Sequence, residues 1–366
     1  MLRLPRFSYL RPGSVTEAAR MLSEHGGRAR LVAGGTDLLP KMKRGQMEPE
    51  ILVGLGHLAE LREVRATADG GFDIGAGVTL SEVIAHPQLG AAYPGYVRAA
   101  ALVSSPALRN AGTIGGNLCV DTRCNYYDES FEWRQAVGFC MKKGGDVCRV
   151  APAFTRCRAI ASSDTAPVAI ALGATVVLVG PEGEREVPVA SMYQDDGKFY
   201  LAKADDEVLT ILRLPDPGRW RSSYVKVRSR DSIDFPVVGV AVALQMTGPV
   251  VDACRIVLTA VASQPLDVSD AAEPLLGREL DDAVIQEVAA KAAKSAKPLD
   301  NADLSYVWRK RITSKAIEQA IREAAFPMIK PDEFTDGRDM FVHGDEGLEG
   351  AEAFVEQRKP DFSPYR

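Results

Sequence analysis

The sequence predicts an α+β protein made of two successive units, and three observations predict it. At 366 residues the chain exceeds one ordinary single-core domain. Strand and helix patterns alternate in its amino-terminal part, separated by glycine pairs. After residue 216 the order changes to three strand patterns followed by two amphipathic helices.

Ser14-Val15-Thr16-Glu17 reads as a capping box that opens a helix, with Val15, Ala18 and Leu22 on one face and Gly26-Gly27 at its end. Residues 30–33 and 51–55 read as strands running into Gly34-Gly35 and Gly56. A helix is expected over 80–85, and a longer small-residue helix over 97–108 that stops before Asn110-Ala111-Gly112. Residues 175–179 and 186–189 flank Gly180-Pro181-Glu182-Gly183 as a hairpin, and 207–214 reads as a strand closed by Pro215. Strands over 224–227, 237–245 and 255–262 then precede helices over 281–296 and 305–324. The expected division is a first unit over 1–215 with an insertion at about 119–163, a second α+β unit over 216–325, and a tail over 326–366. That tail carries nine carboxylates between Asp332 and Glu356 against one arginine, a composition that favours disorder or a partner contact.

Composition excludes several function classes. Hydrophobic residues at 46% and charged residues at 25% fit a globular protein and leave little room for extensive disorder. A formal charge of −5 argues against a phosphate-binding face for nucleic acid. With Pro5 and three arginines among the first eleven residues and no long apolar run, neither a signal peptide nor a membrane span is expected, which points to the cytoplasm. The four histidines, His25, His57, His86 and His343, lack ligand spacing, and no Gly-x-Ser-x-Gly elbow supports hydrolase chemistry. No catalytic side chain is assigned, so the chemistry is expected from bound cofactors.

Two glycine turns suit a phosphate. In Ala33-Gly34-Gly35-Thr36-Asp37-Leu38 and Gly112-Thr113-Ile114-Gly115-Gly116-Asn117, adjacent glycines admit a pyrophosphate close to the backbone amides. Thr36, Thr113 and Asn117 can add neutral donors. Neither turn fits the Rossmann fingerprint or the P-loop, and each alone also reads as ordinary punctuation. Cys124, Cys140, Cys148 and Cys157 crowd into a segment with no helical or strand period, without the Cys-x-x-Cys pairs of common metal sites. Four thiols suit a [4Fe-4S] cluster or a structural zinc, while buried free cysteines are the bland alternative. Cys119 and Cys254 read as packing residues.

These segments resemble a family. Residues 31–38 and 109–117 are similar to the two FAD loops of the flavin subunits of molybdenum hydroxylases, and the similarity runs in order over residues 7–324. The resemblance implies a two-part FAD-binding domain followed by a smaller α+β carboxy-terminal domain. It implies that Ala33, Gly34, Gly35, Thr36, Asp37, Leu38, Thr113, Gly116 and Asn117 hold the pyrophosphate. It also implies that Asp164 contacts the nucleotide and that Leu209 and Lys226 lie near the isoalloxazine ring. On the residues alone, Asp164 also reads as a helix N-cap and Lys226 as an exposed strand lysine. Ser305-Tyr306-Val307-Trp308-Arg309-Lys310 resembles a structural motif of the family's last domain.

The cysteine insertion, including Cys119-Val120-Asp121-Thr122-Arg123-Cys124-Asn125-Tyr126-Tyr127 and Glu132-Trp133-Arg134, resembles that of 4-hydroxybenzoyl-CoA reductase flavin subunits. That resemblance implies a [4Fe-4S] cluster on Cys124, Cys140, Cys148 and Cys157. It also implies a molybdenum-binding large subunit and a [2Fe-2S] small subunit as partners, ferredoxin as electron donor, and reductive dehydroxylation of an aromatic acyl-CoA. The acidic tail departs from the family pattern. Two other readings stand beside it: an oxidative molybdenum hydroxylase passing electrons from FAD to an external acceptor, and a flavin-free interaction subunit with a structural zinc.

Overall fold

The structure, a computed structural model, describes residues 3–230 and 232–326. The acidic tail predicted from residue 326 onward lies outside the described residues, apart from Phe326 itself. The chain opens with β1 (Ser8–Leu10), α1 (Val15–His25), β2 (Ala29–Val32), α2 (Leu38–Lys43) and β3 (Ile51–Gly54). β1 and β2 both pair with β3 in parallel, so the glycine turn after β2 leaves from the end of a small sheet. The Ser14 hydroxyl caps α1 by accepting from the Glu17 N–H at 3.1 Å. The capping box is only half realised, because the Glu17 carboxylate reaches past Ser14 to the Gly13 N–H at 2.6 Å.

β4 (Val64–Ala66) and β5 (Phe72–Gly75) precede a run of short helices: α3 (Leu80–Ala85), α4 (Pro87–Ala92), α5 (Pro94–Ala101), α6 (Pro106–Arg109) and α7 (Ile114–Leu118). The helix expected over 97–108 is therefore two helices. Pro106 has no N–H for a continuing helix and pushes Ser105 into extended backbone (φ −125°), where its hydroxyl caps α6. In the insertion, α8 (Asn125–Asp128) and α9 (Phe131–Ala136) follow. Its two ends are joined by Arg123 and Ile160, which exchange backbone hydrogen bonds of 2.9 and 2.8 Å.

α10 (Thr165–Leu172) leads into β6 (Thr175–Gly180), β7 (Gly183–Pro188) and β8 (Val208–Leu214). With β4 and β5 these build an antiparallel sheet of order β4-β5-β8-β6-β7. β9 (Arg221–Val227), β10 (Val238–Thr247), β11 (Val250–Thr259) and β12 (Leu266–Asp267) form a second antiparallel sheet, followed by α11 (Asp282–Ala293) and α12 (Tyr306–Ala325). The period of two along β10 divides its faces. Val238, Val240, Val242 and Leu244 enter the core formed with α11 and α12, while Ala241 and Ala243 enter the core of the first unit. Small side chains on that second face let α5 and α10 pack closely on the sheet. Among the described residues, no helix is long and apolar enough to cross a membrane.

A buried ion pair crosses between the units. Lys226 on β9 donates to Asp164 Oδ2 at 3.0 Å, and Tyr224 Oη donates to Asp164 Oδ1 at 2.8 Å. Burial raises the Asp164 carboxyl, with Lys226 opposing it; burial likewise lowers the Lys226 ammonium, with Asp164 opposing. Removing one member of such a pair strands the other away from water. Lys226→Met is expected to cost about 3–5 kcal/mol in urea unfolding at neutral pH, and adding Asp164→Asn to recover part of that loss. A double variant no more stable than Lys226→Met would contradict this coupling.

Candidate flavin site and cysteine insertion

A cavity of about 820 Å³ opens where the two glycine turns meet, within the range of about 300–1,000 Å³ common for cofactor sites. Ala33, Gly34, Gly35, Thr36, Asp37, Leu38, Thr113, Gly116, Asn117, Asp164 and Leu209 all line it. Among its other walls are parts of 198–205 and residues 233–235, which include the exposed Phe199, Ile233 and Phe235.

The turns touch through backbone. A Cβ at Gly34 would stand 1.8 Å from the Ala111 carbonyl oxygen, so only glycine permits the approach. Gly35 takes φ +69°, which returns the chain into α2. Among the described residues no acceptor engages the N–H groups of Gly35, Thr36 or Asp37, which leaves consecutive amide donors at the cavity.

The second turn works differently from the expectation that its side chains donate outward. Ile114 N–H donates to Val78 O at 2.9 Å, Gly115 N–H to Ala76 O at 2.8 Å, and the Thr113 hydroxyl accepts from Gly116 N–H at 3.1 Å. Asn117 Oδ1 accepts from Ser163 Oγ at 2.9 Å and Thr165 Oγ1 at 2.7 Å. These groups rigidify the wall, and Asn117 keeps only its Nδ2 unengaged among the described residues. A Cβ at Gly116 would meet only Thr113 Oγ1, at 3.1 Å.

Asp164 and Lys226 also depart from the simple alternatives. Asp164 makes no side-chain cap to α10, because both its oxygens are taken by Tyr224 and Lys226. Lys226 is not an exposed strand lysine. Its ammonium is buried and donates to Leu102 O and Asp234 O at 2.9 Å each as well as to Asp164, and it is not among the residues that line the cavity.

Charges missed in the sequence occupy the boundary between cavity and insertion. Arg123, next to Cys124, pairs with Asp37 and stacks 4.0 Å from the Phe235 ring centroid. The pair neutralises the one carboxylate of the first turn, which would otherwise repel a phosphate. Asp121 accepts from Lys41 and, at 2.6 Å, from Lys142, all three side chains being buried. Lys142 also donates to Thr122 Oγ1 at 2.7 Å and Gly197 O at 2.5 Å. Burial works against the Asp121 charge, but the Lys142 and Lys41 ammonium groups outweigh it and hold the carboxyl at about 2. No periodicity marks Lys142 or Arg123, because each partner lies distant in sequence.

Three of the four insertion cysteines share one small core, and Cys148 is buried outside it. Cys124, Cys157, Tyr127 and Ala159 form a small core against which Cys140 packs, and none of the four cysteines is in a disulfide. Burial pushes the Cys124 thiol up to about 12, with neighbouring Cys157 and Cys140 acting in the same direction and the Tyr126 and Tyr127 N–H groups against it. Burial pushes Cys157 to about 11, with the Ala159 N–H opposing and Cys148 and Cys140 adding to the rise. Cys119 stands apart, bordering the cavity where Tyr200 donates to its carbonyl at 2.9 Å, and Cys254 lies in the second core.

The fold and site define a flavoprotein subunit. Residues 5–217 match the FAD binding domain in molybdopterin dehydrogenase, and residues 223–324 match the CO dehydrogenase flavoprotein C-terminal domain. The chain belongs to the FAD-binding subunits of the molybdenum hydroxylase family. It is 28% identical to the carbon monoxide dehydrogenase medium chain of Hydrogenophaga pseudoflava over 320 residues, 87% of this chain and 97% of that one. It is 32% identical to the aldehyde oxidoreductase FAD-binding subunit of Escherichia coli K12 over 282 residues, 72% and 85% of the two chains. Among solved structures, carbon monoxide dehydrogenase from Hydrogenophaga pseudoflava superposes with a TM-score of 0.72 at 27% identity, covering 88% of this chain and 98% of that one.

Two outcomes follow from this geometry. Gly34→Ala forces the turns apart and is expected to weaken FAD binding at least about tenfold, read by flavin fluorescence titration; unchanged affinity would refute the backbone contact. Asp121→Asn leaves two buried lysines facing each other and is expected to cost about 3–5 kcal/mol near neutral pH. Because the folded carboxyl is depressed from 3.8 to about 2, its stabilisation is present above 3.8 and lost as pH falls through that window. The gap between wild type and variant in urea unfolding at pH 6, 4 and 3 is therefore expected to narrow.

Proposed function

We propose that the chain is the electron-relaying flavin subunit of a molybdenum hydroxylase, working beside a molybdenum-binding large subunit and a [2Fe-2S] small subunit. The carrying observation is the cavity built by the two glycine turns within a chain of this family. The residues fit FAD: glycine-only contacts form a cradle, consecutive amides remain for a pyrophosphate, and Arg123 neutralises Asp37 beside them. Ala33 to Leu38 would hold the pyrophosphate with Thr113, Gly116 and Asn117 as the facing wall. Asp164 and Leu209 would flank the remainder of the cofactor. Lys226 would act through Asp164, since it does not line the cavity. Bound FAD exchanges one or two electrons and so joins one-electron centres to two-electron chemistry. The names of the relatives, carbon monoxide dehydrogenase and aldehyde oxidoreductase, support flow from an oxidised substrate through this subunit to an external acceptor.

The insertion favours a second reading. Three cysteines in one small core and a fourth, Cys148, buried in the same insertion supply the four thiols that a [4Fe-4S] cluster needs. Against it, among the described residues no three His, Cys, Asp or Glu side chains gather tightly enough to hold a metal ion. In that reading Cys124, Cys140, Cys148 and Cys157 would hold the cluster, which would supply one-electron entry from ferredoxin to the FAD beside it. Removal of an aromatic acyl-CoA hydroxyl as water at the partner subunits consumes two electrons and two protons.

Low-temperature EPR of the anaerobically purified complex, before and after dithionite, separates the readings when Cys140→Ser runs in parallel with flavin absorbance. A [4Fe-4S] signal lost in the variant while flavin persists supports the ferredoxin-fed reductase. Flavin without that signal supports the oxidative hydroxylase, and a complex with no flavin in this chain sinks both.

A further inference from the structure

The cysteine insertion leaves the first unit, yet the second unit grips it. Asn301, almost fully buried, sits between the arms that carry Cys124 and Cys157. Its carbonyl accepts from the N–H of Asn125, the residue after Cys124, at 3.0 Å. Its Nδ2 donates to the carbonyl of Arg158, the residue after Cys157, at 2.5 Å. Its Oδ1 accepts from Arg309 Nη1 at 3.3 Å.

Arg309 explains why Asn301 stays in place. This fully buried guanidinium on α12 makes no carboxylate pair among the described residues; it donates instead to Val237 O at 3.0 Å, Leu299 O at 2.8 Å, Ala260 O and Asn301. It therefore clamps the 299–301 segment onto the residue that precedes β10 and the loop after β11. That loop also reaches the insertion: Ala262 O accepts from Ala161 N–H at 2.9 Å, and Ser263 Oγ donates to Cys157 O at 3.3 Å. An amide suits a buried position that accepts from a guanidinium at one atom and donates to a carbonyl from another, whereas an ionised carboxylate cannot donate and an apolar group can do neither.

We infer that Asn301, held by Arg309, is the positioning residue that fixes Cys124 and Cys157 relative to each other, so that the carboxy-terminal unit completes the cysteine site. As a statement about metal ligands this rests on the cluster reading above; as a statement about two cysteine arms it does not.

The test uses the purified complex, treated anaerobically with chelator and then with iodoacetamide, with alkylation followed at each cysteine by mass spectrometry. Iron content is measured before chelation. Asn301→Ala keeps the backbone carbonyl that accepts from Asn125 but removes the side-chain bonds to Arg158 and Arg309; Cys157 is expected to react about tenfold faster and Cys124 also to accelerate, because the carbonyl is no longer held by Arg309, while Cys140 and Cys148 keep their wild-type rates. Asn301→Asp, which keeps the backbone contact to Asn125 and the acceptor for Arg309, is expected to accelerate Cys157 alone. Rates unchanged in both variants, or raised equally at all four cysteines in both, would overturn the inference. A wild-type chain without iron that still shows the selective pattern would remove the cluster reading and leave the positioning role standing.

Discussion

The contact between the Gly34 backbone and the Ala111 carbonyl is the constraint on which the site depends. It sets two glycine turns from distant parts of the chain against each other with no side chain between them. β2 brings the first turn in at the end of a parallel sheet, and hydrogen bonds from Ile114 and Gly115 to Val78 and Ala76 fix the second. One turn keeps its amides free for a ligand while the other spends them on its own rigidity. The cavity is thus largely preformed by backbone, as a cofactor site that binds rather than transforms its ligand needs to be.

Around that backbone frame, buried charges supply the connections. Asp37 with Arg123 joins the first turn to the base of the insertion, and Lys41 with Asp121 and Lys142 joins α2 to its interior. Asp164 with Lys226 joins the two units beside the cavity. Buried pairs are poor sources of net stability compared with apolar packing, yet each is costly to break. Their shared effect is registry: units that hydrophobic burial alone would leave free to shift are held in one relation to the glycine-turn cavity and the cysteines.

Much of this fold was legible locally. The capped helix after Ser14, the hairpin around Gly180 to Gly183, and the strands and helices after residue 216 follow from turn residues and periodicity, which are properties of neighbouring residues. The helix over 97–108 was misread because small residues give a helical pattern on both sides of the break that Pro106 imposes. The glycine turns and the cysteine group were visible as clusters in sequence. What was not visible is who meets whom: Arg123 with Asp37, Lys142 with Asp121, and Asn301 with both cysteine arms are long-range pairings, and Asn117 and Lys226 proved to be engaged internally rather than free. The motif around Arg309 gave no sign that its guanidinium serves the insertion.

The claim that binds these parts together is that this chain itself carries FAD. The direct measurement is the flavin released on denaturing the purified subunit, identified and counted against protein by chromatography before and after phosphodiesterase. One FAD per chain is expected, converted to FMN by the enzyme. A folded subunit that releases no flavin, or releases FMN from the outset, would contradict it.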